Sequence, residues 1–167
     1  IPSVSDLADG KIQINDLREI NISDLLGRDS VKPNEGLMKI KITDKIVMVT
    51  GAGGSIGAEL CRQLIFLKPK QLILFELSEV SLYHIEQELI NFSISNVDVF
   101  PVIGSVLDSI RLNNILDYYK VQTIYHAAAY KHVPLVEYNQ SQGVLNNAIG
   151  TLIAAKAAIN SKVETFV

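Results

Sequence analysis

Three clusters hold the residues best suited to chemistry. They are the loop Thr50-Gly51-Ala52-Gly53-Gly54-Ser55-Ile56-Gly57, the carboxylate Glu76, and the run His126-Ala127-Ala128-Ala129-Tyr130-Lys131-His132-Val133-Pro134. In the loop, Gly51, Gly54 and Gly57 stand three apart. Ile46-Val47-Met48-Val49 precede them, and Ile56, Leu60, Leu64 and Leu67 follow at helical spacing. A strand, a glycine loop and a helix in succession turn backbone N–H groups and the positive end of a helix toward an anion. Gly51 would allow the tight turn, Gly54 the close approach of backbone to a pyrophosphate, and Gly57 close packing of helix on strand. In that context the loop reads as a dinucleotide cradle made by Gly51, Gly53, Gly54, Ser55, Ile56 and Gly57 rather than as a purely structural turn.

Glu76 closes the next apolar run, about 20 residues beyond the glycines, where an acidic side chain can accept hydrogen bonds from both hydroxyls of an adenosine ribose. It would repel a 2′-phosphate, and Leu77-Ser78-Glu79 supplies no arginine to offset that, so NAD is favoured over NADP. The competing reading is a solvated loop carboxylate. After the third strand, Ser105 and Val106 are candidates for contact with the adenine, against a simple turn in which Asp108 caps the following helix. Ala127, Ala128 and Ala129 leave room for a bulky group beside the backbone. Lys131 then sets a cation at the cleft, where it could meet a cofactor hydroxyl or a substrate phosphate. Of the two histidines, His126 reads as a packed, hydrogen-bonded core residue, and His132 as an open candidate for substrate contact or acid–base work. No carboxylate–histidine spacing suggests a metal, and no Gly-x-Ser-x-Gly elbow or Walker lysine occurs.

These residues need a scaffold, and 167 residues suffice for one domain with a substantial core. The net charge of −3, with no basic stripe, argues against a nucleic-acid partner. The single cysteine, Cys61, excludes an internal disulfide and a cysteine-based zinc site, and reads as a small buried residue in a reducing compartment. No stretch approaches the ~20 apolar residues of a membrane span, and no signal peptide is evident. A cytoplasmic location is expected. Both ends of the chain read as cut.

Residues 1–40 are rich in Asp, Ser and Asn and read as the tail of a preceding domain or a linker. Helical turns are expected near Asp6-Leu7 and Asp16-Leu17, a short strand at Lys11-Ile12-Gln13-Ile14, and a turn-rich link at 31–36. From 41 to 167 strands and helices alternate. Strands are expected at about 45–50, 71–76, 97–103, 123–126 and from Val163. Helices are expected at 55–67, from Ser78 or Glu79, after an Asp108 cap, and as one long helix over about 140–160. Pro101 predicts that the third strand lies at a sheet edge. Nearly continuous apolar strands alternating with helices predict an α/β, Rossmann-like, doubly wound parallel sheet of order 3-2-1-4-5, incomplete at or after its fifth strand. Ligands of such a sheet bind at the carboxyl ends of its strands, where the three clusters lie. The pair Asn146-Asn147 is expected to tie its helix to the neighbouring strand, and Gly143 and Gly150 to permit close approach of helix to sheet.

The glycine loop, the acid at the end of the second strand with Ser78-Glu79 and Leu82-Tyr83, and the 126–134 run with Glu137 and Asn146-Asn147 together resemble the extended short-chain dehydrogenase/reductases. Within them the set is similar to the polysaccharide-biosynthesis branch of UDP-N-acetylglucosamine 4,6-dehydratases, from about Lys45 onward. Asp24-Leu25-Leu26-Gly27-Arg28 is similar to the link that joins a further domain to the dehydratase domain in long, membrane-anchored members. The resemblance implies a lyase acting on a UDP-sugar with NAD(P), and leaves room for a homo-oligomer. It also implies that the catalytic Ser/Thr-Asp-Lys and Tyr- or Met-x-x-x-Lys lie beyond the fifth strand, so no catalytic residue is expected within this chain. Thr43-Asp44-Lys45 precedes the first strand and reads as a coincidence. Two alternatives stay open: a nucleotide-sugar epimerase of the same superfamily, and a non-catalytic NAD-binding module.

Overall fold

The computed structural model describes residues 34–92 and 97–167. The readings made for residues 1–33, including the short strand, the helical turns and the 24–28 link, lie outside the described residues. Residues 34–167 form one compact unit. Its elements are α1 (Glu35–Ile42), β1 (Ile46–Thr50), α2 (Ser55–Phe66), β2 (Gln71–Glu76), α3 (Glu79–Asn91), β3 (Asp98–Ile103), α4 (Ser109–Tyr119), β4 (Thr123–His126), α5 (Val133–Tyr138), α6 (Gln140–Val144), a π-helical turn (Leu145–Ile149), α7 (Gly150–Asn160) and β5 (Thr165–Phe166).

The sheet has the expected order, β3-β2-β1-β4-β5, and every pairing is parallel. β-Branched and other apolar residues fill β1 and β2 because both sheet faces are covered. Alternation sends Val47, Val49, Leu72 and Leu74 to one face, against Ile42 of α1, Cys61, Leu64 and Ile65 of α2, and Leu82, Ile85 and Leu89 of α3. Met48, Ile73, Phe75 and Ile124 point to the other face, against Leu112 and Leu116 of α4 and Ala154, Ala157 and Ala158 of α7. Each large side chain so buried contributes about 1.5–3 kcal/mol of transfer free energy. Burial also pushes the Cys61 thiol up to about 12. Pro101 sits in β3, an edge strand, where its missing N–H leaves no central ladder bond unmade.

Three stretches depart from the sequence expectation. The turn-rich link ends in a helix, because Asn34 Oδ1 accepts from Leu37 N–H (3.2 Å) and starts α1, which delivers the fully buried Ile42 to the core. The long helix expected over 140–160 is divided. Asn139 breaks it from α5 with φ −132°, and the π turn interrupts it where the Thr151 hydroxyl donates to the Asn147 carbonyl (2.6 Å). The fifth strand is shorter than expected, two residues.

Candidate functional site

The sheet order reverses between β1 and β4, and the loops leaving their carboxyl ends meet there. Gly51 turns the chain with φ +65°, its N–H donating to the Phe75 carbonyl (2.9 Å). A Cβ on Gly51 would lie 2.7 Å from Ala128 Cα, so small residues on both sides of the crevice are a steric requirement. A Cβ on Gly57 would collide with the Gly51 carbonyl oxygen, so the helix packs closely on the first residues of the loop, in place of the strand contact expected of it. Gly53 has a reason of its own that the sequence did not suggest, since a Cβ there would meet Ser81 of α3 at 2.5 Å. Gly54 is different: its Cβ would touch one atom, the Gly51 oxygen at 3.3 Å, and the residue otherwise faces the cleft. Gly54 also caps the 12-residue α2 with no side-chain bond, and the first turn carries no acid. An open glycine and a helix start without a side-chain cap make a cradle that fits an anionic group.

Glu76 lies at the end of β2, beside the loop. Its Oε2 accepts from Gly53 N–H (3.0 Å), and its Oε1 accepts from Leu77 and Ser78 N–H (both 2.9 Å). The carboxylate therefore braces the glycine loop besides facing a cleft of about 190 Å³ that it shares with Gly53, Ser105, Val106 and Ala128. Ser105 Oγ accepts from Leu107 N–H (3.1 Å), while Val106 is buried against the core and meets Gly150. Gly150 thus approaches a loop and Gly143 approaches Val136 of α5, in place of the helix-to-sheet contacts expected of them.

A larger cleft of about 720 Å³ opens on the other side of the loop, lined by Ser55 and Ile56 of α2, Ala127, Ala129, Lys131 and His132. Lys131 Nζ donates across it to Ser55 Oγ (2.5 Å), so the cation hangs over the first turn of α2. His132 is exposed at the start of α5. The structure thus gathers the predicted residues other than Gly57 around two clefts that share Gly54, Ala127 and Ala129 in their lining, the narrow one at Glu76 and the wide one at Lys131. Sequence reasoning missed the apolar wall of the wide cleft, Leu135 and Val136, because the short α5 that carries them lies before the long helix expected from about 140.

His126 is half-buried and hydrogen-bonded, as expected. Thr50 Oγ1 lies 2.7 Å from Nδ1, Thr151 Oγ1 lies 3.0 Å from Nε2, and Phe166 stacks on the ring. Asn147 does tie its helix, but to the loop after β4 rather than to the strand: its Oδ1 accepts from Tyr130 N–H (2.8 Å) and its Nδ2 donates to the Tyr130 carbonyl (2.9 Å). Thr43-Asp44-Lys45 sits at the opposite, amino end of the sheet, where Lys45 pairs with Glu164 (3.0 Å). Among the described residues no cluster of His, Cys, Asp and Glu could hold a metal ion, and no helix is long and apolar enough to cross a membrane.

A family model described as polysaccharide biosynthesis protein matches residues 47–167, which contain both clefts. The chain belongs to that family. It is 40% identical over its full 167 residues to the capsular polysaccharide biosynthesis protein CapD of Staphylococcus aureus, and spans 28% of that relative's length. Among solved structures, Pen from Bacillus thuringiensis is similar at 30% identity with TM-score 0.66, over 75% of this chain and 37% of that one. A UDP-glucose-4-epimerase from Stenotrophomonas maltophila, solved with bound NAD and formylated UDP-arabinopyranose, shares the fold at 18% identity with TM-score 0.62, over 73% of this chain and 35% of that one.

Proposed function

We propose that this chain is the cofactor-binding part of a nucleotide-sugar 4,6-dehydratase, of the UDP-N-acetylglucosamine type, that serves surface polysaccharide synthesis. The observation that carries the reading is the pairing of Lys131 with Ser55 over the glycine cradle, opposite a carboxylate at the end of β2. The loop 51–57 would receive the pyrophosphate on backbone amides and the α2 terminus. Glu76 would accept from the adenosine ribose and so favour NAD over NADP. Ser105 and Val106 would flank the adenine, and Ala127–Ala129 would let the dinucleotide lie across the sheet. Lys131, already poised over the cleft, would exchange Ser55 for a cofactor hydroxyl or a substrate phosphate, with His132 at the substrate side.

Bound NAD would supply a hydride acceptor that returns the hydride after water is lost, so that the net reaction is redox-neutral. Catalytic groups from beyond this chain complete the site in this reading. An epimerase is the second reading, since the same cofactor cleft serves it and a fold neighbour carries that name. The product separates them. The full-length protein, incubated with UDP-N-acetylglucosamine and followed by proton NMR, is expected to yield a 4-keto-6-deoxy sugar with a new C6 methyl signal. Appearance of the C4 epimer without that methyl would overturn the dehydratase reading.

A further inference from the structure

The hydrogen bonds around His126 close a ring that begins and ends on the glycine loop. Thr50 meets His126, His126 meets Thr151, Thr151 bonds to the Asn147 carbonyl, the Asn147 amide holds both backbone groups of Tyr130, and the next residue, Lys131, reaches Ser55. The direction of each bond can be assigned. A carbonyl oxygen only accepts, so the single hydrogen of the Thr151 hydroxyl goes to Asn147. Thr151 Oγ1 can then only accept from the imidazole, which places a hydrogen on Nε2. Nδ1 is left bare, and the Thr50 hydroxyl donates to it.

We propose that His126 is a positioning residue, held as the neutral Nε2–H tautomer, which links the glycine loop to the Lys131 arm and weakens that link when it is protonated. A second proton would sit on Nδ1 and point at Thr50 Oγ1. The Thr50 hydroxyl, fully buried, would lose its acceptor, and an unpartnered buried donor is costly. The Thr50 oxygen would accept from Nδ1–H, so the junction would reverse rather than break, and the buried hydroxyl hydrogen would have to turn away from the ring, which weakens the link between the loop and the Lys131 arm. The groups that meet the imidazole are Thr50 from β1, Phe166 from β5 and Thr151 from α7, none of them titratable near neutrality, and the His126 backbone N–H donates to Val167 (2.8 Å), the last residue of this chain, whose terminal carboxylate brings a negative charge to that side. Burial is the cause that lowers its proton affinity below the ordinary value. The cofactor consequence rests on the proposed function, whereas the ring itself does not.

Long-range proton–nitrogen NMR of the histidine side chains, with amide shifts recorded over pH 5–8, tests the ring directly. The expected result is the Nε2–H pattern at pH 7.5, with the Tyr130 and Lys131 amides moving at the midpoint of His126. An Nδ1–H pattern, or Tyr130 and Lys131 amides indifferent to that midpoint, overturns the proposal. NADH titrations over the same range are expected to weaken about tenfold with that midpoint, the scale of one lost buried hydrogen bond. Thr151→Val should weaken binding similarly at pH 7.5 and flatten the pH profile, and Thr151→Ser, which keeps the hydroxyl, should restore both. NADH affinity that is pH-independent in the wild type overturns the link to the arm. Amides that follow His126 in a protein that binds no NADH at any pH support the ring and overturn the cofactor reading instead.

Discussion

The fully buried hydroxyl of Thr50 and the half-buried ring of His126 make the pH response of this fold calculable in sign. Burial lowers the proton affinity of His126 in the folded chain, so as pH falls the unfolded chain takes up that proton first. Its contribution is therefore complete above about 6.5, the unfolded value, and is lost as pH falls from there through the folded value. The melting temperature of the wild type should exceed that of His126→Phe at pH 7.5, and the gap should narrow toward pH 5.5. A gap that widens on acidification would contradict the neutral assignment. At this scale the sequence was legible where one residue answers to one local constraint. Gly51, Gly57 and Glu76 sit where spacing from the strand put them. Asn147 was half legible: its unfavourable place within a helix signalled a tie, but its partner is a backbone 17 residues away. Gly53 was legible as part of the motif and not in its packing, because Ser81 approaches it from another helix.

Element boundaries followed the caps. Ser78 Oγ accepts from Ser81 N–H (3.3 Å) and begins α3, and Asp108 Oδ1 accepts from Arg111 N–H (2.9 Å) and begins α4. Both were readable, since a short polar side chain before an apolar-periodic run has few other uses. Asp108→Ala should cost about 1 kcal/mol in a denaturation experiment, with Asp108→Asn close to wild type. Equal stability of the alanine variant would show that the cap bond contributes nothing. The stretch 133–160 was not readable to the same depth. Apolar spacing continues through it, but Asn139 and the hydroxyl of Thr151 redirect backbone hydrogen bonds that periodicity does not register. That division sets α5 against the wide cleft and aims Asn147 at Tyr130. The residues before Lys41 taught the converse. One asparagine cap turns an apparent linker into a helix whose last residue is core.

For the molecule as a whole, strand order was the most legible property, because a buried parallel sheet with right-handed crossovers leaves few arrangements. The order fixes where β1 and β4 diverge, and with it the place where an anionic ligand would meet the loop, Glu76 and Lys131. Calorimetric titration of the 167-residue chain with NAD+ and NADP+ addresses that claim most directly. Glu76 also braces Gly53, Leu77 and Ser78, so the ratio of the two affinities is the informative quantity, rather than either alone. The wild type should bind NAD+ in preference to NADP+, and Glu76→Ala should narrow the ratio. A folded sample that gives no heat with NAD+, or a ratio unchanged in Glu76→Ala, would contradict it.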